Sequence, residues 1–247
     1  MKNDDFDAEA RRDEIIQHIK EWFDKNGPEA TAVIGISGGK DSTVSAALLV
    51  KALGKDRVLG ILMPNGTQMD IEDSKTVVNK LGIKSYIVNI GDTVEYALAA
   101  LKAVGITPSN DTKINLPPRI RMAALYATAQ SLPNGGRVIN TCNRSEDFVG
   151  FSTKGGDCLG DISILGNLLV SEIVAIGDTI DELPWDLVHK TPSDGLCGTT
   201  DEIRFGFTYD DLEKYIKTGS SGNKEIDEKI DMMHRSSRHK YQEMYVC

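Results

Sequence analysis

Short apolar segments alternate with longer amphipathic ones along the chain. The runs TAVIGI, RVLGILMP, KSYIVNI and GRVINT are short, apolar and bounded by turn residues, which predicts buried β-strands. Between them, apolar residues recur at helical spacing, as Ile15, Ile19 and Phe23 do in the first such segment. Strands separated by helices imply a parallel sheet. We therefore predict an α/β fold, a doubly wound parallel sheet with helices on both faces, formed as one domain by residues 1–247.

Helical periodicity covers most of the remaining sequence. The segments that predict helices are DAEARRDEIIQHIKEWFDKNG, VSAALLVKALG, DIEDSKTVVNKLG, TVEYALAALKAVG, PPRIRMAALYATAQSL, NRSEDFVGFST, LLVSEIVAIGDTI, TYDDLEKYIKTG and NKEIDEKIDMMHRSSRHKYQ. Two polar stretches, STKGGDCLGDISILGN and HKTPSDGLCGTTDEIRFG, predict long loops. Long loops in compact domains tend to be functional.

Charge and composition exclude several classes of function. The chain has 28 Lys plus Arg against 37 Asp plus Glu, a net charge of −9. Binding to nucleic acid depends on neutralising phosphates, so this balance argues against a nucleic-acid partner. No apolar run approaches the roughly 20 residues needed to span a bilayer, and the acidic start MKNDDFDAEARRDEII is unlike a targeting peptide. We expect a cytoplasmic protein with no membrane partner.

The cysteines predict neither a zinc site nor a disulfide framework. They are Cys142, Cys158, Cys197 and Cys247, and none of them forms a C-x-x-C pair. We expect reduced thiols that act as small buried hydrophobes or loop residues.

The stretch AVIGISGGKDST joins a predicted strand to a predicted helix through small residues. Bare backbone amides at a helix N-terminus bind phosphate, and Asp41 at the helix start is a carboxylate that can hold Mg²⁺. A Walker loop would need G-x-x-x-x-G-K-[ST], and a dinucleotide fingerprint would need G-x-G-x-x-G; neither spacing occurs here. We expect Asp41 to be exposed, so that replacing it would leave the fold intact.

The run S-G-G-x-D-S at Ser37 to Ser42 resembles the pyrophosphate loop of the N-type ATP pyrophosphatases, which split ATP into AMP and pyrophosphate. The later segments INTCNRSEDFVGFSTKGGDCLGD, KTPSDGL and TDEIRFGFTYDDLEKYI resemble the ammonia-dependent NAD synthetases. This resemblance runs from about Gly35 to Lys240 and implies an adenine nucleotide alpha-hydrolase-like fold. It also implies a ligase that adenylates deamido-NAD (nicotinic acid adenine dinucleotide) with ATP and amidates it with ammonia to give NAD⁺.

The resemblance also implies roles for individual residues. ATP would be bound by Gly35, Ile36, Ser37, Gly38, Gly39, Lys40, Asp41, Ser42, Thr141 and Ser193. Deamido-NAD would be bound by Arg119, Lys154, Asp161, His239 and Lys240. Mg²⁺ would be held by Asp41 and Glu146, which with Lys154 and Asp161 form the catalytic set. Without the family context, the glycine-rich run is an ordinary strand-to-helix turn, and the other residues are helix caps, solvated side chains or surface ion pairs.

One position departs from the family. Relatives often have a lysine that contacts the ATP phosphates where this chain has Val170, so either Lys40 or Lys190 supplies that charge or phosphate binding is weaker. Two alternatives therefore stay open: a tRNA-modifying thiolase or ligase of the same superfamily, and a nonenzymatic nucleotide-binding regulator. Thiolases usually show cysteine pairs and a basic surface, which this chain lacks, whereas Asp41 and Glu146 argue against a regulator.

Length and one helix predict the nitrogen source and the assembly. A glutamine-hydrolysing domain needs about a hundred further residues, so free ammonia, or ammonia from a separate subunit, is implied.

The segment from Met122 to Leu132 carries no charge and is rich in alanine. A helix that is apolar on nearly all sides must be buried, and we expect a homodimer that pairs this helix with its copy.

Overall fold

The computed structural model describes residues 6–67, 71–191 and 200–246. The strands are β1 (Thr31–Gly35), β2 (Val58–Leu62), β3 (Lys84–Ile87), β4 (Gly136–Asn140) and β5 (Ile162–Ser163). The helices are α1 (Ala8–Asn26), α2 (Lys40–Leu53), α3 (Ile71–Leu81), α4 (Gly91–Ala103), α5 (Asn110–Gln130), α6 (Arg144–Val149), α7 (Val170–Gly177), α8 (Trp185–Val188), α9 (Asp201–Phe205), α10 (Tyr209–Thr218) and α11 (Lys224–Ser237).

The strands form one parallel sheet in the order β3-β2-β1-β4-β5. The order runs outward from β1 to β3 and then resumes on the other side of β1 with β4. Since the carboxyl ends of parallel strands share one edge, this reversal opens a crevice between the segments after β1 and β4. The predicted doubly wound fold is confirmed.

Apolar side chains cover both faces of the sheet. On one face α1, α2 and α7 pack in a core that includes Ile19, Phe23, Leu48 and Ile173, all at most 1% exposed. On the other face α5 contributes a smaller cluster that contacts β1 and β4. Helices α6, α10 and α11 pack against each other in a third apolar cluster beyond β4.

Helix α5 begins earlier than the sequence predicts. Its pattern suggests a start at Pro117, but the helix starts at Asn110 and runs through Pro117 and Pro118. Ser109 caps the true start, because its side chain accepts a hydrogen bond from the Thr112 amide. Proline is usually tolerated only in the first turn of a helix. The sequence pattern therefore places the predicted helix start at Pro117, seven residues too late. The short elements β5, α8 and α9 also lie in stretches that the sequence predicts as loops or leaves unassigned.

Candidate active site

The glycine-rich turn after β1 is closed by hydrogen bonds among its small residues. Ser42 Oγ accepts from the Ser37 amide over 3.2 Å and lies 3.0 Å from Ser37 Oγ. Thr43 Oγ1 donates to the Gly39 carbonyl over 2.7 Å. Gly38 has φ +80°, and a Cβ there would lie 2.6 Å from the Cβ of Asp73, so only glycine fits. The turn thereby holds the first amides of α2 at the crevice, where an anion would bind.

Asn143 connects the two residues that the sequence assigns to Mg²⁺, through the Asp41 carboxylate and the Glu146 backbone amide. This fully buried residue is the N-cap of α6, and its Oδ1 accepts from the Glu146 amide over 3.0 Å. Its Nδ2 donates to Asp41 Oδ1 over 3.2 Å. The segments after β1 and β4 therefore meet through one side chain. Sequence reasoning missed Asn143, although an asparagine three residues before a glutamate is an N-cap signal.

Lys40 is buried beside these carboxylates. Its side chain is 4% exposed, and Nζ lies 3.0 Å from Asp41 Oδ2. Burial alone would lower the pKa of Lys40, but the charges of Asp41, Glu146 and Asp201 outweigh it and raise the pKa. Lys40 is therefore an ammonium that compensates buried negative charge. Asp41 is only 19% exposed on its side chain, so the expectation that it is an exposed residue is wrong.

The residues present fit a hard divalent cation. Burial and the neighbouring charge of Asp41 raise the pKa of Glu146 well above its usual range, which indicates a site short of positive charge. Two carboxylates suit Mg²⁺, which usually takes one or two from the protein and the rest from phosphates and water. Among the described residues, no group of three or more His, Cys, Asp or Glu side chains is arranged to hold a metal.

A second group of predicted residues is connected by hydrogen bonds around the loop that follows α6. Arg119 Nε donates to the Lys154 carbonyl over 3.2 Å, and Lys154 Nζ donates to the His239 carbonyl over 2.9 Å. Lys240 Nζ donates to the carbonyls of Gly150 and Ser152 over 2.7 and 2.8 Å. The C-terminal His-Lys pair therefore lies against the loop that carries Lys154.

The remaining predicted residues are less tightly placed. Asp161 Oδ2 accepts from the Val138 amide over 2.7 Å, which ties this exposed aspartate to β4. Thr141 follows the last residue of β4 and is half-buried. Ser193 lies outside the described residues.

The structure also places Val170, where relatives often have a phosphate-contacting lysine, and the two candidate substitutes, Lys40 and Lys190. Val170 is 8% exposed and packs in the third apolar cluster. Lys190 Nζ lies 2.6 Å from Asp73 Oδ2, and Asp73 is the residue that approaches Gly38 in the glycine-rich turn. Lys40 lies among the carboxylates at the start of α2. Both lysines therefore lie near the turn, Lys40 paired with Asp41 and Lys190 paired with Asp73.

Comparison with known proteins identifies the family. The NAD synthase family matches residues 12–245. The chain belongs to the NAD synthase family. It is 40% identical over 220 residues to the NH(3)-dependent NAD(+) synthetase of Methanocaldococcus jannaschii, covering 85% of this chain and 82% of that protein. It is 36% identical to the enzyme of the same name from Carboxydothermus hydrogenoformans, covering 92% and 94%.

A solved structure shares nearly the whole fold. The structure of NMN synthetase from Francisella tularensis superposes with a TM-score of 0.89 at 31% identity, covering 98% of this chain and 99% of that one. The predicted ATP-dependent ligase of the NAD synthetase family is therefore confirmed, and neither the tRNA-modifying nor the regulatory alternative is favoured. Within the described ranges, no helix has the length and apolar character needed to cross a bilayer.

Proposed function

We propose that this NAD synthase converts deamido-NAD to NAD⁺ with ATP and ammonia, and that Mg²⁺ binds at Asp41 and Glu146. The observation that carries the assignment is the Asn143 bridge, which connects the Asp41 carboxylate to the backbone amide of Glu146 beside the glycine-rich turn, at the reversal of strand order. The same turn presents amides and hydroxyls to the phosphates of ATP. The relatives named above support the amide-forming reaction.

The chemistry proceeds in two steps. The nicotinate carboxylate attacks the α-phosphorus of ATP, the bond to the pyrophosphate oxygen breaks, and an acyl-adenylate forms. Ammonia then attacks the acyl carbon, AMP leaves with its phosphate oxygen, and the nitrogen loses a proton to give the amide. No nucleophilic side chain is needed, because the enzyme acts by positioning the reactants and stabilising charge. When bound, Mg²⁺ would supply compensation for the phosphate charge.

The protein's own groups divide this work. We assign the amides of the glycine-rich turn, Ser37 to Ser42, to the departing pyrophosphate, with Lys40 as a nearby fixed cation. Thr141 and Ser193 complete the ATP contacts in this proposal. Arg119, Lys154, Asp161, His239 and Lys240 would hold deamido-NAD, which is supported by the hydrogen bonds that connect Arg119, Lys154 and His239 and by the bond from Lys240 to the same loop.

The test is product stoichiometry with purified protein. ATP, ammonium and deamido-NAD should give NAD⁺, AMP and pyrophosphate in equal amounts; omission of ATP or deamido-NAD should stop all three, and omission of ammonium should stop NAD⁺ formation. Replacing ammonium by glutamine is the control for the nitrogen source and should give no NAD⁺. Release of AMP without deamido-NAD would contradict the proposal.

A shorter substrate is the second candidate. The Francisella protein is named an NMN synthetase, and it matches this chain over almost its whole length. If this chain forms the same product, its substrate is nicotinate mononucleotide, which carries the same reacting carboxylate without the adenylate half. Measuring kcat/KM for both acids under identical conditions decides between them, since a preference of tenfold or about 1.4 kcal/mol in transition-state binding is readily measured.

Two properties complete the proposal. We propose a homodimer in which α5 meets its copy, supported by the exposed alanines Ala123 and Ala127 on that helix. We also propose a cytoplasmic location, supported by the use of ATP as co-substrate.

A further inference from the structure

One buried ammonium, that of Lys40, interacts electrostatically with three acidic side chains near the start of α2. Lys40 Nζ is ion-paired with Asp41, and the charges of Glu146 and Asp201 also raise its pKa against the effect of burial. With Lys40 charged and all three carboxylates ionised, the cluster carries two net negative charges. One divalent cation would neutralise it.

Asp201 is the member that no sequence motif identified. It begins α9, is 3% exposed, and accepts a hydrogen bond at Oδ2 from the Tyr209 hydroxyl over 3.1 Å. Its other oxygen, Oδ1, is buried and accepts no hydrogen bond from any described residue. An unsatisfied carboxylate oxygen in a buried position is costly, so its retention calls for a partner.

Tyr209 contacts both Lys40 and Asp201. The Lys40 ammonium lies 5.7 Å from the centroid of the Tyr209 ring, and the hydroxyl of the same ring is bonded to Asp201. A lysine has a flexible four-carbon stem, so rotation about its side-chain bonds can move its ammonium between acceptors in the same cluster. Asp201 Oδ1 is an acceptor within the same buried cluster.

Both oxygens of Asp41 are already engaged. Oδ1 accepts from Asn143, and Oδ2 is paired with Lys40. A divalent cation on Asp41 would meet the ammonium at the same carboxylate, where like charges repel strongly because water is excluded. Metal binding therefore requires a second place for the ammonium.

We propose that Asp201 is a positioning residue that receives the Lys40 ammonium when Asp41 binds a divalent cation. Asp201 then acts through Lys40: it frees Asp41 Oδ2 for the metal and keeps the positive charge beside the phosphate site. This inference rests on the proposed metal pair of Asp41 and Glu146.

The test measures Mn²⁺ binding to the protein alone, by the loss of the free-ion EPR signal, without ATP or a second substrate. Four proteins form a double-mutant cycle: wild type, Asp201→Asn, Lys40→Met and the double variant. Asp210→Asn is the control, because it removes one exposed carboxylate from the adjoining helix α10. Thermal melting of each protein reports its folding.

Non-additivity is the expected result. Asp201→Asn should weaken Mn²⁺ binding by on the order of tenfold, since Lys40 then stays on Asp41. In the Lys40→Met background the same change should cost about twofold or less, because no ammonium needs to move. Asp210→Asn should leave Mn²⁺ binding unchanged. Tyr209→Phe, which only releases the Asp201 side chain, should show a smaller loss that also disappears with Lys40→Met.

Other results overturn the inference. An equal loss in both backgrounds would mean that Asp201 only adds negative charge, and no loss in either would remove it from the site. If Asp201→Asn does not fold, the same comparison is made with Tyr209→Phe in the wild-type and Lys40→Met backgrounds. A wild type that binds no Mn²⁺ would overturn both the metal pair and the role of Asp201, whereas the amide-forming reaction is judged separately by product stoichiometry.

Discussion

Asn143 donates a hydrogen bond from Nδ2 to Asp41 Oδ1 across 3.2 Å, although 102 positions separate the two residues in the chain. The same side chain caps α6 at the Glu146 amide. One amide group thereby connects the Asp41 carboxylate, at the start of α2, to the backbone of Glu146 in α6. This bond fixes the start of α6 relative to Asp41, so its loss should disturb the candidate metal site.

Replacing Asn143 by alanine should separate its two roles. Loss of the cap should cost about 1 kcal/mol of folding free energy, and loss of the bond to Asp41 should raise the Mg²⁺ concentration needed for half-maximal activity. Asn223→Ala is the matched control, because Asn223 caps α11 at the Glu225 amide over the same 3.0 Å. Thermal melting and a Mg²⁺ titration measure both effects. An equal Mg²⁺ requirement in the two variants would show that Asn143 is only a cap.

Asp41→Asn should abolish turnover and also lower stability. Asp41 pairs with buried Lys40, so its neutralisation leaves the ammonium with less compensation. Breaking a buried pair costs about 3 to 5 kcal/mol, and the remaining carboxylates should reduce that loss. Adding Lys40→Met should recover melting temperature but not pyrophosphate release. Pyrophosphate release near the wild-type rate in Asp41→Asn would remove Asp41 from the catalytic set.

Glu146→Gln should raise the Mg²⁺ requirement and lower kcat. The change keeps the shape of the side chain and removes one charged oxygen from the metal shell. Burial opposes the charge of Glu146, so the neutral variant should fold at least as well as the wild type. Glu225→Gln, an exposed change on α11, is the control. A Mg²⁺ titration that matches the wild type would exclude Glu146 from the site.

The central strands and the glycine-rich turn could be predicted because their signals are local. An apolar run ends at glycine or proline, and the turn carries four small residues within six consecutive positions. Asn143 and Asp201 could not be predicted in the same way, because their roles depend on contacts with Asp41 and with Tyr209 and Lys40 that form only in the fold. Lys40 shows the limit most clearly: its position in the turn suggests a phosphate contact, but its burial beside Asp41 is a tertiary property.

Gly150→Ala should destabilise the contact between α6 and α11. Gly150 has φ +68°, and a Cβ there would lie 2.0 Å from the Cβ of Ser237. Gly105→Ala is the control, since Gly105 has φ +83° with no atom within 4 Å of an added Cβ. The control should lose about 1 kcal/mol from backbone strain alone, and Gly150→Ala should lose more. Equal losses in chemical denaturation would mean that α11 moves aside freely.

The last prediction concerns assembly through α5. Its inner face packs Met122, Leu125 and Ala129 against the sheet, while Ala123 and Ala127 are exposed on the outer face. The neighbouring helix α4 adds exposed apolar surface, including Tyr96 at 77% exposure. An apolar patch of this kind usually marks an interface, and a two-fold axis would cover it with its own copy.

Light scattering at micromolar concentration should therefore find twice the chain mass of 27.0 kDa. Ala127→Arg should place a charge in the interface and give monomers, because an unpaired buried charge opposes association. Gln17→Arg adds the same charge to α1 on the opposite face of the sheet and should leave the dimer intact. Arg119 lies two turns before Ala127 on α5, so monomers should also bind deamido-NAD more weakly if the site extends across the interface. A 27.0 kDa wild-type species with full activity would exclude the dimer and the shared site together.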